Sequence, residues 1–151
     1  MEASNLDQLK AQAQVLIPYY KALVAEIGKE RAIEISSKAM NDFYCNIGQQ
    51  INMFYPGSPI EKISALTPFY ATDNALEYQE FKKTPDVYEY KVTACQYAEY
   101  YKELGEPELG YLFVCGGDFT IAEGINPDLE LTRKQTIMQG AENCDFCYKM
   151  K

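Results

Sequence analysis

The chain of 151 residues contains no histidine and no tryptophan. Histidine is the usual general base near neutral pH and the commonest metal ligand in proteins. Its absence excludes Ser-His-Asp triads, Cys-His dyads and zinc sites built on histidine. Any chemistry must therefore use thiols, carboxylates, hydroxyls, amines or backbone groups.

Positive charge and long apolar runs are also scarce. Lysine and arginine total 14 against 22 aspartates and glutamates, a net charge of −8. Because nucleic acids and anionic membranes are bound by clustered cations, neither partner is expected. No apolar run approaches the roughly 18 residues that span a bilayer, and the first residues, MEASNLDQLK, lack an export signal. We therefore expect a cytoplasmic protein.

Five cysteines and thirteen tyrosines are present instead. Without an export signal the cysteines should be free thiols, and the tyrosines favour a pocket with aromatic walls that carry polar tips. Cys144-x-x-Cys147 resembles a metal or redox motif, but strand residues three apart point to opposite faces. Its spacing from Cys95 and Cys115 matches no compact zinc signature. We expect no metal and no cofactor, with a thiol-metal protein kept as an alternative.

The first half of the chain predicts two long helices. Apolar residues repeat every three or four positions from Leu6 to Ile27, with Gly28 as the terminator and Pro18 as a bend or split. A second helix is predicted from about Lys29 to about Phe54, interrupted at Gly48. The segment from Ile60 to Thr72 stays ambiguous.

The second half predicts mainly short strands. A hairpin is indicated from Leu76 to Ala94, and Cys95 to Leu104 has a helical pattern. We predict a break at 115–118, a loop from Thr120 to Asp128, and a final hairpin. The strands of that last hairpin are predicted at about Leu129–Met138 and Cys144–Met150.

These elements predict an α+β fold. N-terminal helices should pack on one face of an antiparallel sheet of about four strands formed by two hairpins. One domain is expected over residues 1–151, with a helical part at 1–55 and the sheet and site region at 75–151.

Cys115-Gly-Gly-Asp118 is the sharpest local cluster of reactive groups. A nearby negative charge raises the pKa of a thiol, so Asp118 would act as a proton acceptor. A nucleophilic Cys115 would also need a cation or a helix N-terminus. The alternative is a buried cysteine beside an ordinary glycine turn.

The predicted register of the last hairpin pairs Met138 with Cys144. Thr136, Cys144 and Phe146 then share one face of the sheet. Asp145, Cys147 and Arg133 share the other face. Cys144 and Asp145 are therefore not expected to act on one substrate atom.

The second half of the chain resembles the L-2-amino-thiazoline-4-carboxylic acid hydrolase family. The likeness is carried by four groups of residues, which are Cys95-Gln96-Tyr97, Glu103-Leu104-Gly105 with Pro107-Glu108-Leu109, Cys115-x-x-Asp118, and Thr136-Ile137-x-x-Gly140-x-x-x-Cys144-Asp145-Phe146. The ending is also similar to the 4-vinyl reductase type of small-molecule-binding domain. The chain departs from the family pattern at Cys147, where arginine would follow the Cys-Asp-Phe run, and this departure concerns carboxylate binding.

The resemblance implies hydrolytic opening of a cyclic amidine, 2-amino-thiazoline-4-carboxylate, to N-carbamoyl-cysteine, with cleavage of a C–N bond. It implies that Asp118 is the base or the amidinium-binding group, and that Cys115 or Cys95 is the nucleophile or acid. Thr136, Cys144, Arg133 and Asp145 would bind the substrate, with Arg133 on its carboxylate. The alternative is a non-catalytic small-molecule-binding or sensory domain. A homo-oligomer is left open.

Overall fold

The computed structural model describes residues 2–151. Three helices begin the chain, α1 (Asn5–Ile27), α2 (Lys29–Phe54) and α3 (Pro59–Tyr70). Ser4 and Asp7 form a reciprocal cap at the start of α1, and Gly28, with φ of +86°, joins α1 to α2. Both long helices are confirmed. However, α1 is not split at Pro18, and α2 continues through Gly48.

Gly48 marks the place where α2 crosses α6 (Gly117–Ile125) against Gly124. A Cβ atom on Gly48 would lie 2.9 Å from the Cα atom of Gly124 and from the amide nitrogen of Ile125. The two backbones therefore touch, which glycine alone permits. The predicted loop from Thr120 to Asp128 was wrong because this contact stabilises a helix in a glycine-containing segment.

The middle of the chain carries the first hairpin and three short helical segments. These are β1 (Leu76–Lys83), β2 (Val87–Cys95), α4 (Gln96–Glu103), α5 (Pro107–Gly110) and a π-helical turn (Tyr111–Cys115). The predicted break at 115–118 does not occur. Gly116 has helical dihedral angles, so the π-helical turn runs directly into α6.

The second hairpin joins β3 (Leu129–Thr132) to β4 (Cys144–Met150). The sheet has the order β1-β2-β4-β3, and all neighbouring strands are antiparallel. An α+β fold with a four-stranded antiparallel sheet is thus confirmed. The second hairpin has a longer connection than predicted, because β3 ends at Thr132 and residues 133–143 form a loop with one 3₁₀ turn.

The register of the second hairpin also differs from the prediction. Thr132 pairs with Cys147, and Leu131 pairs with Tyr148. The partners are shifted by three positions, and because an odd shift exchanges the two faces of a strand, β3 presents the opposite side chains to the core. Arg133, two residues after Leu131, therefore lies on the inner side of the sheet.

The inner face of the sheet is lined by aromatic and apolar side chains. On this face Tyr90 is paired with Phe146, and Val92 with Cys144. The rings of Tyr90 and Phe146 are nearly parallel, with centroids 4.6 Å apart. Helix α3 packs against β2 and β4, and α6 packs against β3. Between residues 2 and 151 no helix combines the length and the apolar character needed to cross a membrane.

Candidate functional site

A cavity of about 300 Å³ lies between the inner face of the sheet and helices α1, α2, α3 and α6. Most of its wall is apolar or aromatic. Six of the seven side chains predicted for the site line this one cavity, namely Cys95, Cys115, Asp118, Arg133, Thr136 and Cys144. Exposed residues of the wall, including Gln8 and Phe69, mark its opening.

Arg133 and Asp118 form an ion pair in the wall of the cavity. Nη1 of Arg133 donates to Oδ2 of Asp118 at 2.6 Å, and Nη2 donates to the backbone carbonyl of Cys115 at 3.0 Å. The Arg133 guanidinium also lies 5.0 Å from the ring centroids of both Phe119 and Phe146. With 2% of its side chain exposed, Arg133 is fixed from several sides.

Asp118 remains more accessible than its partner, with 31% of its side chain exposed. It lines the cavity, so this surface is available to a bound molecule. Burial raises the pKa of Asp118 above its ordinary value, while the charge and hydrogen bond of Arg133 act in the opposite direction. Burial lowers the pKa of Arg133, but Asp118 more than offsets this and leaves it above the usual value. The contact of 2.6 Å with the guanidinium makes Asp118 the anionic partner of an ion pair beside the cavity.

Cys115 ends the π-helical turn one helical turn from Asp118. The amide of Gly116 closes this turn by donating to the carbonyl of Tyr111 at 2.8 Å. The carbonyl of Cys115 accepts from Nη2 of Arg133. Burial raises the pKa of the Cys115 thiol well above its ordinary value, Asp118 raises it further, and Arg133 only partly counteracts them. The cation that a nucleophilic Cys115 would need is thus present, yet Arg133 is paired with Asp118 and does not produce a thiolate at neutral pH.

Cys95 and Cys144 both accept backbone hydrogen bonds through sulfur. Sγ of Cys95 caps α4 by accepting from the amide of Ala98 at 3.4 Å, and Sγ of Cys144 accepts from the amide of Ile137 at 3.2 Å. Burial raises the pKa of Cys95 to about 11 and also raises that of Cys144. Three neutral thiols therefore surround the single carboxylate of the cavity.

Thr136 lies in the cavity wall with 2% of its surface exposed. Its hydroxyl donates to Oε1 of Gln139 at 2.9 Å and accepts from the amide of Gln139 at 3.2 Å. The hydroxyl proton is thus committed to the 3₁₀ turn. Thr136 retains only acceptor capacity toward a bound molecule.

Asp145 and Cys147 lie outside the cavity. Oδ1 of Asp145 accepts hydrogen bonds from the amides of Lys134 and Gln135, at 3.0 and 2.9 Å. Cys147 lies on the outer face of the sheet, where its thiol donates to Glu89 at 3.7 Å. The carboxylate of Asp145 therefore fixes the loop that follows Arg133, and the departure at Cys147 does not alter the cavity wall.

Several wall residues were not singled out by the sequence. Tyr70, Tyr90 and Tyr97 come from α3, β2 and α4. Burial and then the charge of Asp118 raise the pKa of Tyr70 to about 12, so its hydroxyl is a neutral hydrogen-bonding group. The abundance of tyrosine indicated aromatic walls but could not identify which rings would form them.

Metal-binding geometry was also considered for the thiols. In the part of the chain from residue 2 onward, no three cysteine, aspartate or glutamate side chains are grouped as metal ligands would be. Cys144 faces the cavity and Cys147 faces the outer side of the sheet, so this pair does not converge on one point.

Comparison with known proteins shows similarity in structure and in sequence. Among solved structures, the chain is similar to the phenol-responsive sensory domain of the transcription activator PoxR, determined with phenol, with a TM-score of 0.56 and 11% identity. The similarity covers 89% of this chain and 72% of that one, and at this identity it concerns the fold alone. No curated protein sequence matches. The family model described as L-2-amino-thiazoline-4-carboxylic acid hydrolase matches residues 8–148.

Proposed function

The chain belongs to the L-2-amino-thiazoline-4-carboxylic acid hydrolase family, and from this membership we propose that it hydrolyses a small cyclic amidine of the 2-aminothiazoline type inside the cavity. The observation that carries the proposal is the position of Asp118. Within residues 2–151 it is the one carboxylate of the cavity wall, and Arg133 holds it in place. A fixed carboxylate at an enclosed, largely apolar site is suited to proton transfer.

The bonds that change determine what the site must supply. Water adds through its oxygen to the ring carbon between sulfur and nitrogen. In a product of the N-carbamoyl-cysteine type the nitrogen stays on that carbon. The bond that breaks is therefore C–S, not the C–N bond inferred from the resemblance, and the sulfur leaves as a thiol.

Asp118 can handle both proton transfers of this reaction. With the substrate bound as an amidinium, the Asp118 carboxylate accepts one proton from the attacking water and then returns that proton to the departing sulfur. The second water proton leaves the oxygen for solvent as the carbonyl forms, and the ring nitrogen keeps the proton that it already carried. A raised pKa makes an aspartate a better base at neutral pH than an exposed one. Arg133 is a positioning residue in this scheme, because its donors keep the carboxylate in one orientation.

The cysteine thiols do not act as nucleophiles in this scheme. Because burial raises the pKa values of Cys115 and Cys95, both are protonated at neutral pH and are poor nucleophiles. They can donate weak hydrogen bonds to the substrate and shape the wall. Direct attack by water is therefore favoured over a covalent thiol intermediate.

The second candidate is a ligand-binding domain without turnover. The observation that favours it is the cavity wall, whose thiols are neutral and whose surface is mostly aromatic and apolar. A pocket of this kind retains small ring compounds without needing to react with them. The similarity in fold to a sensory domain supports this alternative.

Two variants test the hydrolase proposal. Asp118→Asn should reduce ring opening by at least about 100-fold, the usual contribution of a general base, whereas Cys115→Ser should retain activity to within about tenfold. Glu123→Gln, on the exposed side of α6, is the matched control and should match the wild type. Full activity of Asp118→Asn would refute the role of Asp118, and a larger loss in Cys115→Ser would indicate a thiol nucleophile.

A further inference from the structure

The charges in the cavity wall restrict which ring compounds can bind. Among the described residues that line the cavity, Arg133 is the one cation and Asp118 is the one anion. The two are joined at 2.6 Å and neutralise each other. The tyrosines and cysteines around them carry no charge at neutral pH. The cavity therefore has a net charge of zero.

Arg133 lines the cavity but offers almost no exposed surface to a second anion. One of its terminal nitrogens is bonded to Asp118 and the other to the carbonyl of Cys115. Two ring faces, of Phe119 and Phe146, lie against the guanidinium, and 2% of the side chain is exposed. A substrate carboxylate would have to displace Asp118 or remain unpaired beside it, and an unpaired buried anion is strongly disfavoured.

The polar groups at the opening carry no positive charge, so they cannot pair with a substrate carboxylate in place of Arg133. Nδ2 of Asn5 donates to the backbone carbonyl of Phe69 at 3.0 Å, and Nε2 of Gln8 donates to that of Ala3 at 3.1 Å. Gln12 is a third neutral amide at this rim. An amidine group, in contrast, can donate to the accessible oxygen of Asp118 and lie against aromatic faces.

We propose that the substrate of this chain is a cyclic amidine that has no carboxylate, and that the ion pair of Arg133 with Asp118 excludes carboxylate-bearing analogues. This proposal rests on the proposed function for the amidine, but the exclusion of carboxylates concerns binding alone. Asp118 thus determines specificity in addition to its role in proton transfer.

A matched pair of ligands tests the exclusion. Calorimetry of the full chain with 2-amino-2-thiazoline and with its 4-carboxylate should give a dissociation constant at least tenfold lower for the compound without the carboxylate. Asp118→Asn should reverse or abolish this preference, because Arg133 is then an uncompensated cation. Glu123→Gln removes one negative charge from the same helix at an exposed position and should leave the preference unchanged.

Three results would overturn the proposal. These are equal or tighter binding of the carboxylate by the wild type, an unchanged preference in a folded Asp118→Asn variant, and no binding of either compound. The wild-type comparison stands even if the variant does not fold. Binding with the predicted preference but without hydrolysis would instead refute the proposed function and leave the exclusion of carboxylates intact.

Discussion

Nη1 of Arg133 lies 2.6 Å from Oδ2 of Asp118 at the wall of the cavity. The two residues come from different elements, since Asp118 is in the first turn of α6 and Arg133 directly follows β3. The ion pair thus joins helix to sheet at the site. The same contact affects the stability of the fold, the pKa of Asp118 and the choice of ligand.

Removal of Arg133 should strongly destabilise the protein. Arg133→Met leaves the partly exposed carboxylate of Asp118 without its partner at the cavity wall, and we expect a loss of up to about 3 kcal/mol in the free energy of unfolding, the lower end of the cost for a buried pair. The double variant Arg133→Met with Asp118→Leu should recover much of this loss. Urea unfolding measures both.

The exposed ion pair of Lys38 with Asp42 provides the control for this experiment. Lys38→Met should change the free energy of unfolding by no more than about 1 kcal/mol. Equal losses in Lys38→Met and Arg133→Met would contradict the account of the buried pair.

Alkaline pH should destabilise the fold through Cys95. Its folded pKa is about 11, above the value of about 8.5 for a thiol in an unfolded chain. The stabilising contribution is therefore complete below the unfolded pKa and is lost as pH rises through about 8.5 to 11. Over that range wild-type stability should fall more steeply than that of Cys95→Ser, by up to about 3 kcal/mol.

Urea unfolding at several pH values gives this comparison directly. Serine keeps a hydrogen-bond acceptor at the start of α4, so the cap is preserved. Parallel pH profiles of the two proteins would show that Cys95 does not have the raised pKa.

Asp145 should act on the loop and not on the bound molecule. Asp145→Ala removes the acceptor for the amides of Lys134 and Gln135, and we expect a loss of about 1–3 kcal/mol in stability with faster hydrogen exchange across residues 133–143. Asp145→Asn keeps an oxygen acceptor and should lose less. A large loss of ligand affinity in Asp145→Asn with unchanged loop exchange would instead place Asp145 in direct contact with the ligand.

The thiols should not hold a metal ion. Protein purified without chelators should contain well below one equivalent of zinc or iron, because Cys144 and Cys147 lie on opposite faces of the sheet. Elemental analysis measures the content. One equivalent of metal that is lost in Cys144→Ser would support the thiol-metal alternative.

The helices α1 and α2 could be predicted because an apolar stripe at helical spacing is a local signal. Helix α6 could not, because its glycines disfavour a helix locally and are needed only for the contacts with α2, where Gly124 meets Gly48 and Gly117 meets the ring of Tyr44. Those contacts join segments far apart in the sequence. The register of the second hairpin could not be predicted either, because it depends on the long loop that Asp145 holds in place through the amides of Lys134 and Gln135.

The side chains of the candidate site could be identified from the sequence, but their arrangement in space and their pairing could not. Cys115 and Asp118 are close in the chain, so their association was visible. Arg133 was expected on the opposite face from Phe146, and the three-residue shift of β3 brings it to the same side. The pairing of Arg133 with Asp118, and so the neutral charge of the cavity, needed the tertiary structure.

The most direct measurement of the central claim is product analysis with the wild-type protein. 2-Amino-2-thiazoline should be incubated with the protein in water labelled with heavy oxygen and the products examined by mass spectrometry. The account predicts a ring-opened product with a free thiol and one labelled oxygen on the former ring carbon, absent from reactions with Asp118→Asn. Binding of the ring compound without any labelled product would contradict hydrolysis and leave a ligand-binding domain.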